Sequence, residues 1–243
     1  MEEERVFSIS KLHTFENCPK MYKFKYIDGI TEPFQTIEAH FGKIIHNTLE
    51  YLYSSPHRLS LNELISFFNK TWEENWDSSI RIIRRGENKY EYKKSGKELL
   101  IKYHPEYLKD NFHTITLEHK FKLLLLDKYH FTGIIDRLAK DNEDVFHVID
   151  YKTSRSMHYL SRKKDLLQIK TYGIWTMDNY HLNRVIIHAK YLFGEDENKI
   201  FKKQWENEII HLLVNKINKI KKENIFPKRK SGLCPWCRYQ DIC

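Results

Sequence analysis

The hydrophobic period of the sequence changes near residue 114, and this change constrains the fold more than any other feature. Upstream, apolar residues recur at helical spacing, most clearly over Glu38–Tyr53. Downstream, we predict strands at Ile115–Leu126, Tyr129–Leu138 and Val145–Thr153. The third of these segments is apolar on both faces for most of its length, which is typical of a central strand covered on both sides.

The other segments add helices and one further strand. We predict helices at Ser8–Tyr26, Leu61–Trp76, Tyr90–Tyr103, Lys164–Tyr180 and Gln204–Glu223, and a fourth strand at Val185–Phe193. This order predicts a mixed α/β domain in which a small mixed sheet is flanked by helices. We assign residues 1–243 to one domain, with a helical elaboration at 54–113, the core sheet at 114–200 and a C-terminal tail at 226–243.

The charge balance favours a polyanionic partner. The 243 residues include 41 Lys and Arg against 33 Asp and Glu, a net charge of +8. Such an excess is typical of proteins that bind nucleic acid or an anionic membrane surface. The sequence has no run of 18 apolar residues and no amphipathic anchor, which disfavours the membrane. Met1–Arg5 is acidic and lacks an apolar signal core, so we predict a cytoplasmic protein.

Ionisable residues interrupt the strands of the predicted sheet. Asp150 and Lys152 lie two residues apart, so the strand period places both side chains on one face and Tyr151 on the other. Asp136 closes the preceding strand, and neighbouring strands would bring the two aspartates together. Two carboxylates around a divalent cation suit phosphodiester hydrolysis, and a lysine beside them can stabilise developing charge. A plain Asp150–Lys152 ion pair at a strand end is the alternative interpretation.

Four motifs follow one another along the chain. They are Gly42-Lys-Ile-Ile-His46, Gly133-Ile-Ile-Asp136, Asp150-Tyr-Lys152-Thr153 and Gln168-Ile-Lys-Thr-Tyr172. In this order they resemble the GxxxH helix, the second motif, the DYKT-type third motif and the QxxxY helix of the RecB-like branch of the PD-(D/E)XK nuclease superfamily. The resemblance implies a restriction-endonuclease-like core and a metal-dependent DNA exonuclease.

The resemblance also implies a role for each motif residue. His46, Asp136, Asp150 and the backbone carbonyl of Tyr151 would bind Mg²⁺ or Mn²⁺, Lys152 would be the catalytic lysine, Gln168 and Tyr172 would border the site, and Glu118 would be a further candidate carboxylate. An imidazole ligand suits Mn²⁺ better than Mg²⁺, so we expect Mn²⁺ to support activity at least as well. For Gln168 and Tyr172, closure of helix–sheet packing is the alternative.

The four cysteines form one candidate metal site. Cys234 and Cys237 form a CxxC, Cys243 follows after five residues, and Cys18 lies near the other end of the chain. In a reducing compartment this pattern favours metal ligation over disulfides, and thiolates select zinc or an iron–sulfur cluster. The arrangement resembles the iron–sulfur staple of AddB-type nucleases and of CRISPR-associated RecB-like exonucleases, which implies a 4Fe–4S cluster on these cysteines.

Two basic segments are candidates for nucleic-acid contact. The stretch from Tyr22 to Tyr26 alternates aromatic rings with lysines, a pattern that suits single strands because rings stack on bases and lysines meet phosphates. The segment 81–85 is rich in arginine. The predicted contact residues are Tyr22, Lys23, Lys25, Arg81, Arg84 and Arg85. A solvated charged face is the alternative for both segments.

Together these patterns predict a metal-dependent deoxyribonuclease, an exonuclease that acts mainly on single-stranded DNA. The chain lacks a GxxxxGK[ST] motif, so it carries no helicase motor. The resemblance implies a role in CRISPR adaptation, with integrase proteins as partners, or in DNA recombination and repair with the proteins of those processes. The alternative is a non-catalytic iron–sulfur or zinc module that binds DNA, and the presence of all four residues His46, Asp136, Asp150 and Lys152 favours the enzyme.

Overall fold

The computed structural model describes residues 6–154 and 159–243. Its helices are α1 (Ile9–Asn17), α2 (Pro19–Tyr22), α3 (Ile37–Ser54), α4 (Leu61–Glu74), α5 (Lys89–Lys109), α6 (Tyr159–Tyr180) and α7 (Glu206–Lys222). Its strands are β1 (Val6–Phe7), β2 (Gln35–Thr36), β3 (Ile80–Arg81), β4 (His113–Leu125), β5 (Tyr129–Lys140), β6 (Phe146–Lys152), β7 (Arg184–Tyr191) and β8 (Glu197–Lys202). The predicted mixed α/β architecture is confirmed.

A mixed sheet organises the described part of the chain. β4 and β5 form an antiparallel hairpin, β5 continues antiparallel into β6, β6 pairs parallel with β7, and β7 pairs antiparallel with β8. The short β1 lies parallel to the start of β5. The four predicted strands are all present, whereas β8 was not predicted. It is a polar edge strand in which Phe201 supplies the only buried side chain, so its apolar pattern is too weak to recognise.

Each face of the sheet has its own apolar core. On one face, β4, β5 and β6 pack against α1, α6 and α7, with Phe131, Leu138 and Ile174 among the buried side chains. On the other face, β6 packs against α3, α4 and α5, where Ile44 and Trp72 are buried. β6 is therefore covered on both sides, as its apolar sequence predicts. No helix in the described ranges is both long enough and apolar enough to cross a bilayer.

The helix predicted at Ser8–Tyr26 is divided at Cys18. α1 ends there because Cys18 is extended, with φ of −158°, and Pro19 then opens α2 as its first residue. Proline tolerates that first position since it has no N–H to donate. A π-helical turn over Lys23–Ile27 follows. Cys18 consequently lies at the junction of two short helices instead of on a helix face.

Candidate active site and cysteine cluster

His46, Glu118 and Asp136 converge from α3, β4 and β5. His46 Nδ1 lies 3.7 Å from Glu118 Oε1 and 3.6 Å from Asp136 Oδ1. One ligand atom from each of the three residues lies within 4.8 Å of the others. The structure thus brings His46 and Asp136 together, and it adds Glu118, the carboxylate that the resemblance offered as a further candidate. We call these three residues the carboxylate–histidine cluster.

The hairpin register places Glu118 in this cluster. Leu117 pairs with Arg137 and His119 pairs with Ile135, so Glu118 lies opposite Asp136. Glu118 has a positive φ of 44°, a left-handed conformation that is unfavourable for a residue with a Cβ. Such backbone strain is typical of functional sites, where surrounding structure holds it in place.

Asp136 joins the cluster to β6. Its Oδ2 accepts a hydrogen bond of 2.7 Å from the backbone N–H of Tyr151, while Oδ1 faces His46. The prediction that Asp136 closes its strand is wrong, because β5 continues to Lys140. The paired part of β5 and β6 ends at the Arg137–Ile149 pair. Asp136 is the next residue of β5, and there its side chain, instead of its backbone, contacts β6. One carboxylate therefore both fixes the two strands and presents an oxygen to the site.

Asp150 and Lys152 lie on one face of β6, as the strand period predicts. Lys152 Nζ is 2.6 Å from Asp150 Oδ2 and 3.8 Å from Asp165 Oδ1. Burial raises the pKa of Asp150, and Asp136 raises it further against the opposing effect of Lys152. Burial would lower the pKa of Lys152, but Asp150 and Asp165 outweigh it and raise that pKa. The lysine is accordingly held as a cation.

Gln168 and Tyr172 of α6 fix the ammonium group of Lys152. Gln168 Oε1 accepts a hydrogen bond of 2.9 Å from Lys152 Nζ, and Gln168 Nε2 donates to the hydroxyl of Tyr172. The amide is thereby oriented with its oxygen toward the lysine. Both residues lie beside the site where the motif spacing places them. Tyr151 points its ring to the opposite face, where it is buried, and metal binding by its carbonyl stays a prediction.

Two motif glycines permit these approaches. A Cβ at Gly42 would lie 3.1 Å from Thr153 Oγ1, so the glycine allows α3 to pack against the end of β6. A Cβ at Gly133 would lie 2.7 Å from the Phe121 ring and 2.8 Å from the Tyr172 ring. Any side chain at Gly133 would displace one of these rings, and Tyr172 is the residue that orients Gln168.

The cluster attracts positive charge. Burial lowers the pKa of His46, but the carboxylates of Asp136 and Glu118 outweigh burial and raise it to about 10. A proton is thus drawn to a position that a divalent cation would also favour. Carboxylate oxygens suit Mg²⁺ and Mn²⁺, and the imidazole nitrogen is more compatible with Mn²⁺. The donor set therefore fits the predicted cation, and coordination by Asp150 stays a prediction because its Oδ2 faces Lys152.

The four cysteines come together from both ends of the chain. Cys18, Cys234, Cys237 and Cys243 line one cavity of about 650 Å³. Backbone N–H groups point at two of the sulfurs, from Arg229 to Cys18 at 3.5 Å and from Ser231 to Cys234 at 3.4 Å. Burial raises the pKa of Cys237, a backbone hydrogen bond from Tyr239 lowers it, and the other three cysteines nearby raise it, so that the pKa lies above its usual value.

Tyr22 does not present its ring to solvent. Only 6% of the residue is exposed, and the ring stacks on Phe226 with centroids 6.2 Å apart and planes at 4°. The prediction that Tyr22 stacks on a base is therefore wrong. Because the segment is helical, the alternating rings do not share one face: Tyr22 contacts Tyr26, whereas Phe24 packs against Tyr239.

Most of the predicted basic contacts have intramolecular partners. Lys23 lies 2.8 Å from Asp28, Lys25 lies 2.6 Å from Glu32, and Arg84 lies 3.8 Å from Glu38 and 3.7 Å from Glu87. Arg81 covers the ring of Phe34 at 4.2 Å. Arg85 is exposed. These partners weaken the interpretation of Lys23, Lys25, Arg81 and Arg84 as phosphate contacts, since each cation would exchange an existing contact for a new one.

The chain is similar to a known protein family and to solved structures. A family model described as the PD-(D/E)XK nuclease superfamily matches residues 6–243. No curated protein matches the sequence significantly. A solved structure from Eubacterium rectale, described as a proposed exonuclease, has a TM-score of 0.54 and 15% identity, with 97% of this chain and 88% of that chain covered. The structure named SSO0001 has a TM-score of 0.42 and 16% identity, with 100% and 87% covered.

Proposed function

Because the chain belongs to the PD-(D/E)XK nuclease superfamily, we propose that it is a metal-dependent exonuclease that hydrolyses phosphodiester bonds, mainly in single-stranded DNA. One observation carries the proposal: the carboxylate–histidine cluster lies beside the Asp150–Lys152 pair, because Asp136 accepts a hydrogen bond from the backbone N–H of Tyr151, the residue between them. This combination joins a cation site to a fixed ammonium group. The DNA would come from CRISPR adaptation or from recombination and repair, as the sequence resemblance implies.

His46, Glu118 and Asp136 would hold the cation, with Asp150 and the Tyr151 carbonyl as further proposed ligands. A bound Mg²⁺ or Mn²⁺ would activate water and offset charge on the phosphate. Lys152 contributes a second positive charge from the protein itself, which can stabilise developing negative charge on phosphate oxygens. Gln168 and Tyr172 act through Lys152, because they hold its Nζ in place.

Two further observations support the finer parts of the proposal. The net charge of +8 favours a nucleic-acid substrate. The Eubacterium rectale structure of similar fold is described as a proposed exonuclease, which favours cleavage from an end. A non-catalytic DNA-binding module is the less favoured function, because it would not require a half-buried lysine held between two carboxylates and an amide.

The decisive test is digestion of linear and circular single-stranded DNA with Mn²⁺ or Mg²⁺. We expect the wild-type chain to release short products from the linear strand and to leave the circle intact. Lys152→Ala should abolish cleavage, whereas Lys140→Ala, a strand lysine outside the site, should not. Cleavage of the circle would contradict exonuclease action, and equal cleavage by Lys152→Ala would contradict the catalytic assignment.

We also propose that the four cysteines bind a 4Fe–4S cluster. Tetrahedral zinc with Zn–S bonds of about 2.3 Å requires sulfurs about 3.8 Å apart. Among the described residues, three metal-ligand atoms lie within 4.8 Å of one another in the carboxylate–histidine cluster and not among the cysteines. No three cysteine sulfurs are therefore that close to one another. Wider spacing around a common cavity favours a cluster of several irons. Iron and sulfide in equal amounts after anaerobic purification would support this proposal, and stoichiometric zinc would refute it.

A further inference from the structure

One face of the β4–β5 hairpin continues outward from the carboxylate–histidine cluster. Residues that pair across an antiparallel hairpin share a face, and every second pair lies on the same side. Beyond Glu118 and Asp136, the pairs on that side are Lys120 with Ile134, Lys122 with Thr132, and Leu124 with His130. We call these six residues the outer hairpin face. It therefore begins directly beside the proposed cation site.

The outer hairpin face is open to solvent. Lys120 and Lys122 are exposed, and Leu124 and Ile134 are 49% and 41% exposed. The opposite side of β4 carries Phe121, which is buried against α6 residues and has a centroid 5.4 Å from that of Tyr172. One side of the hairpin thus packs against the core. The other side is exposed to solvent and carries aliphatic side chains and two cations.

The charge of this face is uncompensated. Within residues 6–154 and 159–243, no carboxylate forms an ion pair with Lys120 or Lys122, in contrast to Lys23 and Lys25. The two lysines lie two residues apart on β4, a separation of about 7 Å along the strand. That distance is comparable with the separation of successive phosphates in an extended single strand.

We propose that the outer hairpin face is the track on which a single DNA strand lies next to the cleavage site. Lys120 and Lys122 contact two phosphates, while Leu124, Ile134 and the His130 ring provide surface for sugars and bases. The occupant is a polyanion because the face carries two unpaired cations and is continuous with a site proposed to bind phosphate. This inference rests on the proposed nuclease function and adds the path of its substrate.

Binding measured without cleavage tests the track. The probe is a fluorescein-labelled 12-nucleotide thymidine strand in EDTA, and its anisotropy gives the Kd over a range of salt concentrations. Each phosphate contact on a single strand contributes about 0.7 to the slope of log K against log salt. Lys120→Gln/Lys122→Gln should lower that slope by about 1.4, which is about 25-fold weaker binding at 0.1 M than the wild type when the two are equal at 1 M.

A matched control separates the track from general electrostatics. Lys102→Gln/Lys109→Gln removes the same charge from exposed positions on α5 and should leave the slope unchanged. Lys120→Arg/Lys122→Arg should restore binding. An equal loss from the α5 pair, or no loss from the hairpin pair, would overturn the inference, as would sedimentation that shows the outer hairpin face joining two copies of the chain.

Failure of the track differs from failure of the proposed function. If the wild type digests linear DNA but Lys120→Gln/Lys122→Gln binds DNA like the wild type, the proposed track is wrong and the proposed nuclease function is supported. If the chain binds DNA through Lys120 and Lys122 but neither Mn²⁺ nor Mg²⁺ elicits cleavage, the proposed nuclease function is wrong and DNA binding by the outer hairpin face is supported. Absence of DNA binding by the wild type overturns both.

Discussion

Replacement of Arg137 should destabilise the protein more than any surface substitution. The residue is 1% exposed, and its guanidinium donates to the carboxylate of Asp110, to the carbonyl of Phe112 and to the hydroxyl of Thr114. It also lies 3.7 Å from the ring centroid of Tyr53. Arg137→Met keeps much of the side-chain volume but leaves Asp110 without its cation.

The expected magnitude follows from this burial. Removal of one partner from a buried ion pair costs about 3–5 kcal/mol, because the remaining charge is left uncompensated. Only 15% of the Asp110 side chain is exposed, so water compensates it poorly. For a chain of this size, such a loss lowers Tm by roughly 10 °C. Lys140→Met, at the end of the same strand as Arg137, breaks a pair with the exposed Asp144 and should change stability by less than about 1 kcal/mol.

Urea denaturation followed by circular dichroism gives the free energy of unfolding of both variants.

The pH dependence of the free energy of unfolding gives a second check. Burial would raise the pKa of Asp110, but Arg137 outweighs it and lowers that pKa. A lowered folded pKa stabilises the protein above the unfolded value of about 3.9, and the contribution is lost as the pH falls through the folded value. The difference between wild type and Arg137→Met should therefore shrink in acid.

Two results would refute this reasoning about Arg137. The first is a free energy of unfolding for Arg137→Met within about 1 kcal/mol of the wild type. The second is a stability difference that grows as the pH falls below about 4. Asp110→Asn in the Arg137→Met background should recover part of the lost free energy of unfolding, since it removes the uncompensated charge. If it recovers none, the loss comes from altered packing and not from the charge.

Three other substitutions test the site and the cysteines. Gly133→Ala should cost about 1–3 kcal/mol in urea denaturation because its Cβ would lie 2.7 Å from the Phe121 ring, whereas Gly232→Ala, with nothing within 4 Å, should be neutral. Glu118→Gln should weaken Mn²⁺ binding about tenfold or more in calorimetry, and unchanged affinity would remove Glu118 from the cation site. Cys243→Ser should lower the iron content per chain under anaerobic purification, and full iron occupancy would exclude Cys243 as a ligand.

Local patterns predicted the sheet strands because their causes are local. Val145–Thr153 is apolar on both faces, and the structure covers β6 on both sides. The same period placed Asp150 and Lys152 on one face, which the 2.6 Å contact confirms. β8 lacked this signal, since an edge strand needs few buried residues. The end of β5 was also predicted too early, at Leu138, whereas the strand continues to Lys140.

The charge partners could not be predicted, because they depend on chain segments that only folding brings together. Lys25 meets Glu32 and Arg238 meets the same glutamate from the far end of the chain, so a basic run near residue 25 is already compensated. The partner of Glu118 also depends on the folded register. The predicted strand ends at Leu126 and Tyr129 would place Glu118 opposite Arg137, whereas the observed Leu125–Tyr129 pair places it opposite Asp136. The same register places Lys120 and Lys122 on the side of Glu118, and it is their lack of carboxylate partners in the described structure that distinguishes them from the lysines of the N-terminal segment.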